Sequence, residues 1–100
     1  MGQVRALFPP QAPMPFTREV IEEIGDFQMG CYGLQKDKTV VFIGGGDIRA
    51  GMLGHLDGDN EAITREAPTH WIGIVSVHWE ALLGEFIAEY DPVCNRDASA

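Results

Sequence analysis

The alternation of apolar and polar positions between residues 16 and 95 predicts a chain of short helices and strands. Helices are expected over residues 18–24, 47–56, 61–66 and 79–90, where apolar side chains recur at helical spacing or where N-capping residues and a following Gly or Pro mark the ends. Strands are expected over residues 28–34, 39–43 and 71–77, which are short and rich in β-branched residues or glycine. Thr17 and Asp47 are the predicted N-caps of the first two helices.

The first two strands are expected to pair as an antiparallel hairpin around a four-residue loop, residues 35–38. Residues 39–43 are apolar on both faces, as in a strand with a layer on either side. The sequence therefore predicts an α/β domain of the α+β type, in which a small three-stranded antiparallel sheet is flanked by helices.

One hundred residues provide for a single hydrophobic core. Four prolines fall within residues 1–15, which lack apolar periodicity and are expected to form an extended N-terminal arm or flexible leader. Residues 16–95 are the predicted domain, and residues 96–100 a short polar tail. Cys31 and Cys94 lie in apolar segments, so both are expected to be buried free thiols.

The net charge is −8, with seven basic and fifteen acidic residues. Non-specific nucleic-acid binding depends on Lys and Arg neutralising phosphates, so this balance argues against a general DNA-binding protein. No apolar stretch is long enough to span a bilayer or to serve as a signal peptide, and a cytoplasmic location is expected.

Several short motifs follow one another along the chain in an order that is typical of a known domain family. They are Gly30-Cys31-Tyr32, then Phe42-Ile43-Gly44, a helix from Asp47-Ile48-Arg49-Ala50 to His55-Leu56, and finally Phe86-Ile87, Pro92 and Asn95. Over residues 28–95 this series resembles the GIY-YIG nuclease domain, which has a GIY strand, a YIG strand, a helix with an Arg and a His, and a closing segment with Pro and Asn.

The resemblance implies divalent-metal-dependent hydrolysis of DNA, with Mg²⁺ or Mn²⁺ as cofactor. Tyr32 would help activate water, and His55 would support the water or the phosphate. From the residues alone, Tyr32 could equally be a core aromatic on a buried strand, and His55 a capping or core histidine near a helix end. Phe42 stands where a second tyrosine is expected, so one phenolic hydroxyl is missing. Gly44 ends the second motif, and Asn95 corresponds to the asparagine that organises the site; with Phe42, these two form the implied substrate-binding set.

Two positions depart from the family pattern. The catalytic arginine would lie at Gly51 and the metal-binding glutamate at Leu83. Arg49 is a candidate catalytic replacement, although it lies about 200° around the helix from residue 51 and could equally be a surface or salt-bridging residue. Glu80 is the candidate metal ligand, or else an acid favoured by the helix dipole.

Gly51 and Gly54 lie inside a helix, where each glycine is unfavourable by about 1 kcal/mol relative to alanine. The pair marks either a contact surface, where glycine lets another backbone or a ligand approach closely, or tolerated sequence drift at a site whose function is no longer required. Two functions therefore remain open. One is a GIY-YIG endonuclease with a weakened or lost site, and the other is a catalytically inactive module of the same fold that binds a protein, a nucleic acid or a second copy of itself.

Overall fold

The computed structural model describes residues 7–98, with side chains described as far as residue 96. It is an α+β fold in which a four-stranded antiparallel sheet packs against helices. The strands are β1 (Met14–Pro15), β2 (Met29–Lys36), β3 (Thr39–Asp47) and β4 (His70–Val75), in the spatial order β1-β4-β2-β3. The helices are α1 (Arg18–Glu22), α2 (Ile48–Leu56), α3 (Glu61–Glu66), α4 (Trp79–Tyr90) and α5 (Val93–Ala98).

The predicted three-stranded sheet is wrong by one strand. Residues Met14–Pro15 of the Pro-rich arm pair with β4 at its outer edge, where Pro15 needs no inward-facing N–H. A two-residue strand has too few positions to show alternation, so the pattern of the sequence carries no sign of it.

The hairpin between β2 and β3 turns more tightly than expected. Pairing continues to Lys36 and Thr39, which leaves a two-residue turn of Asp37 and Lys38. Both turn residues have positive φ, 52° and 68°, as in the type I′ turn that suits a twisted hairpin. The predicted four-residue loop is wrong because neither residue is the glycine or asparagine that usually marks this turn.

The helix starts follow local chemistry and are confirmed. The Thr17 hydroxyl accepts a hydrogen bond from the backbone N–H of Val20, and the Asp47 carboxylate accepts one from Ala50. Helix α5 was not predicted. It begins directly after Pro92 and takes in Asn95 and part of the segment expected to be a polar tail.

Each face of the sheet carries its own apolar cluster. Tyr32, Leu34 and Val41 lie on the face covered by α1, α2, α3 and α5. Cys31, Ile43 and Ile72 lie on the other face, which is covered by α4 and by Phe8 of the arm. Cys31 and Cys94 are both buried and free, which confirms the expectation for the thiols.

The two outer edges of the sheet are each held by a side-chain amide. On β4 the Gln11 amide donates to the carbonyl of Gly73 and accepts from its N–H, both at 3.0 Å. On β3 the Asn95 amide accepts from the N–H of Ile43 at 2.8 Å and donates to its carbonyl at 2.9 Å. Such cover prevents an unpaired edge from recruiting another strand.

The arm is therefore docked from Phe8 onward, and residues 1–6 lie outside the described part. The Phe8 ring stacks on Phe86, and the Phe8 N–H donates to the Tyr90 hydroxyl at 3.0 Å. Among the described residues, no helix is long and apolar enough to cross a membrane.

Candidate functional site

Tyr32 and His55 meet on one face of the sheet, where α2 crosses the β2–β3 hairpin. The Tyr32 hydroxyl lies 2.8 Å from Nε2 of His55. The other ring nitrogen, Nδ1, lies 2.8 Å from Oδ1 of Asp59, in the turn that follows α2. The three side chains form one hydrogen-bonded chain that links β2 to the last turn of α2 and to the turn that follows this helix.

One arrangement of protons satisfies every group in this chain. If Nδ1 carries the proton, it donates to Asp59, and Nε2 accepts from the Tyr32 hydroxyl. Asp59, although exposed on its outer side, thus favours one imidazole tautomer, as the carboxylate of a hydrolase triad does for its histidine. The geometry can hold a proton in place or relay it along the chain.

Tyr32 and His55 are largely shut off from solvent, whereas the Asp59 side chain is 53% exposed. Tyr32 is 3% exposed, and the His55 side chain is 10% exposed. Burial raises the pKa of the Tyr32 phenol above its ordinary value, and the nearby negative charge of Asp59 raises it further. A phenol in this state is a weak source of the phenolate needed to deprotonate water.

Two glycines make room for the Tyr32 ring. A Cβ atom at Gly44 would lie 2.4 Å from the Tyr32 hydroxyl oxygen, and one at Gly51 would lie 2.6 Å from it. A Cβ at Gly54 would lie 2.8 Å from Oδ2 of Asp59. Gly51 therefore packs closely against the Tyr32 ring, and Gly54 lies beside the Asp59 carboxylate.

Phe42 packs at the side of the same chain. Its ring centroid lies 5.0 Å from that of His55 in an edge-on arrangement and 6.3 Å from that of Tyr32. At this position the resemblance implies a second tyrosine, and the phenylalanine instead supplies apolar cover.

The Asn95 side chain is not part of the hydrogen-bonded chain of Tyr32, His55 and Asp59. Both ends of its amide are taken by the backbone of Ile43 at the outer edge of β3. Its contacts secure the strand that carries Phe42 and Gly44.

Arg49 is likewise engaged elsewhere. Its guanidinium donates to the carbonyl of Ile24 at 3.2 Å and pairs with the Asp26 carboxylate at 2.7 Å. Since α2 turns Gly51 toward Tyr32, residue 49 is directed away from it, as the helical spacing predicts. These contacts match the salt-bridging alternative for Arg49.

Glu80 lies on α4, across the sheet from Tyr32 and His55. Its side chain is exposed in the first turn of that helix. Leu83, where the resemblance would place a metal-binding glutamate, packs toward Gly45 on the same side as α4. Glu80 and Leu83 therefore lie on the opposite face of the sheet from Tyr32 and His55. Within residues 7–96, no three His, Cys, Asp or Glu side chains are grouped so as to hold a metal ion.

Asp59 is the member of the chain that sequence reasoning missed. The available signal was its position four residues after His55, a spacing that brings side chains together when a helix runs on into a turn.

A groove of about 290 Å³ lies at the hairpin end of the sheet, lined by Pro13, Gln35, Asp37, Lys38, Thr69 and His70. None of the residues in the Tyr32–His55–Asp59 chain lines it. Its walls bring two basic side chains and one carboxylate to an open surface.

Comparison with known proteins identifies no relative, since no family model, no curated protein and no solved structure matches this chain.

Proposed function

We propose that this chain is a divergent GIY-YIG-like module that binds a protein partner and does not hydrolyse DNA. The observation that carries the proposal is the closure of the Tyr32 hydroxyl. It is buried, bonded to His55 and packed against Gly44 and Gly51. In this position the hydroxyl holds α2 on the hairpin instead of meeting a water molecule and a phosphate.

Phosphodiester hydrolysis needs a base for water and positive charge for the phosphoryl oxygens. The raised pKa of Tyr32 works against the first requirement. The arginine that the resemblance implies is replaced by Gly51, and its candidate substitute, Arg49, is paired with Asp26. Leu83 stands where the resemblance implies a metal-binding glutamate, which is the second loss. Loss of a charge-stabilising group typically lowers the rate by about 10²–10³, so two such losses remove measurable turnover.

Charge supports a protein partner over a nucleic acid. The chain carries −8 in total, and three of its arginines (Arg18, Arg49 and Arg96) form ion pairs with aspartates. An acidic surface repels phosphates and attracts basic proteins.

An endonuclease is the second candidate, and the contact between Tyr32 and His55 favours it. These residues come from different segments, 23 positions apart, yet their polar atoms meet at 2.8 Å. The resemblance assigns catalytic roles to both. For hydrolysis, the turn after α2 would have to open and expose Tyr32 and His55 before DNA and Mg²⁺ or Mn²⁺ could bind beside them.

The two functions are separated by a nicking assay on supercoiled plasmid with Mg²⁺ or Mn²⁺, using the full chain, Tyr32→Phe and Tyr90→Phe. Tyr90 is the matched control, because it also loses a hydrogen-bonded phenol but lies on the other face of the sheet. We expect no nicking by any of the three and no DNA mobility shift at about 50 mM salt. Nicking that Tyr32→Phe abolishes and Tyr90→Phe retains would establish the nuclease and overturn the binding module.

A further inference from the structure

Four exposed apolar side chains lie at one end of the sheet, where β2 begins and β4 ends. They are Phe27, Met29, Val75 and Val77, with exposed fractions of 84%, 38%, 61% and 89%. We call these four residues the end patch. Exposed apolar side chains that are grouped in one region mark sites of protein association, whereas single exposed apolar residues are common.

Backbone hydrogen bonds bring the four together. The N–H of Ser76, which lies between Val75 and Val77, donates to the carbonyl of Met29 at 2.9 Å. Val75 is also the register partner of Gly30. Phe27 precedes Met29 by two residues, and the carbonyl of Gln28 between them accepts from the N–H of Ile48. The end patch is therefore built on fixed backbone.

Phe27 is held in an unusual conformation. Its φ of 60° falls in the left-handed region, which is strained for a residue other than glycine. This conformation leaves a large aromatic ring in solvent, where it gains no burial. A strained backbone that presents an exposed aromatic side chain is typical of a binding anchor.

Acidic residues border the end patch. Asp26 adjoins Phe27, and Asp47 is the register partner of Met29. The Trp79 ring lies beside Gly45 and Gly46, which brings the first turn of α4, with Glu80, next to the end of β3. Arg49 offsets only the charge of Asp26, so the border is negative.

We propose that the end patch docks a protein surface that has an apolar centre and a rim of Lys and Arg. This proposal specifies the partner of the binding module proposed above, and it rests on that function. Phe27 and Val77 are the anchors, and Asp47 and Glu80 face the basic rim. A second copy of this chain is disfavoured, because two chains that each carry a net charge of −8 repel each other. Glu80 thus acts as a rim charge in place of the metal ligand implied by the resemblance.

The probe is a synthetic amphipathic helix of leucine and lysine carrying a fluorescent label, and its counterpart with glutamate in place of lysine is the charge control. The full chain is titrated with each, and backbone amide shifts map the contact. We expect the lysine peptide to bind, more weakly as salt is raised, with the largest shifts at residues 26–30 and 75–80. The glutamate peptide should bind at least about ten-fold more weakly, since like charges meet.

Phe27→Ser combined with Val77→Ser should weaken binding of the lysine peptide by about ten-fold or more, since two apolar anchors are lost. Met14→Ser combined with Val93→Ser is the matched control, because both residues are exposed apolar side chains away from the end patch. The unfolding midpoints of both double variants should stay near that of the unsubstituted protein.

Absence of binding, equal binding of both peptides, or equal effects of the two double variants would each overturn the end patch proposal. If the lysine peptide binds and its shifts lie elsewhere, the binding module stands while the end patch falls. Plasmid nicking that depends on Tyr32, with peptide binding intact, would overturn the proposed module and leave the patch as a separate surface.

Discussion

The replacement of Gly51 by alanine tests the packing of the candidate site most sharply. In an exposed helix this change stabilises a protein by up to about 1 kcal/mol. At Gly51 the new Cβ would lie 2.6 Å from the Tyr32 hydroxyl oxygen and 3.2 Å from two ring carbons. Tyr32 is buried and cannot swing away, so the phenol or the helix must shift.

Overpacking of this type typically costs about 1–3 kcal/mol, and displacement of the hydroxyl adds the loss of its hydrogen bond to His55, about 0.5–1.5 kcal/mol. After the gain in helix propensity is subtracted, Gly51→Ala should lower the free energy of unfolding by about 1–3 kcal/mol. For a domain of this size that corresponds to a midpoint lower by about 4–8 °C per kcal/mol.

Gly84→Ala is the matched control. Gly84 lies inside α4, and a Cβ there meets nothing within 4 Å, so this variant should be neutral or more stable. Removal of the phenolic oxygen in a Tyr32→Phe background leaves contacts of 3.2 Å, which small shifts relieve. The cost of Gly51→Ala should therefore shrink in that background. Denaturant unfolding followed by tryptophan fluorescence measures all five proteins, which are the unsubstituted chain, the two glycine variants, Tyr32→Phe and the double variant.

A Gly51→Ala variant as stable as Gly84→Ala would refute this packing. So would an undiminished cost in the Tyr32→Phe background, because the clash would then not involve the hydroxyl.

Three further predictions concern other parts of the fold. Asn95→Ala leaves the N–H and carbonyl of Ile43 without their partner and should cost about 1–3 kcal/mol in denaturant unfolding. Phe8→Ala removes a buried ring from the arm and should cost about 3 kcal/mol by the same measurement, whereas Leu7→Ala, at an exposed position, should change stability by less than about 0.5 kcal/mol. The folded state holds the Tyr32 pKa above its unfolded value near 10, so the stability that comes from keeping this phenol protonated is complete below about pH 10 and falls as pH rises beyond it. The free energy of unfolding of Tyr32→Phe should therefore fall less steeply than that of the unsubstituted chain above about pH 10.

The sequence predicted those features that depend on local chemistry. Thr17 and Asp47 cap helices through their own side chains within three residues, so a short window suffices to find them. Motif order was enough to bring Tyr32 and His55 together, because strand, strand and helix follow one another directly. Of the predicted chemistry, this pairing is what the coordinates place in contact.

Features that depend on distant contacts were missed. The Gln11 amide meets Gly73 across 62 residues, and the Asn95 amide meets Ile43 across 52 residues. Local periodicity contains no information on either pair. The side of the sheet occupied by α4, and with it the place of Glu80, also depends on packing that no short segment encodes.

The central claim is that Tyr32, His55 and Asp59 satisfy one another in a closed chain. Nuclear magnetic resonance of the imidazole nitrogens of His55, at about pH 8, tests it directly. A fixed tautomer with the proton on Nδ1, and a Tyr32 hydroxyl proton slow enough in exchange to be observed beside Nε2, is the predicted result. Averaged tautomers together with a hydroxyl proton in rapid exchange with water would show that the pair is open to solvent and would contradict the account.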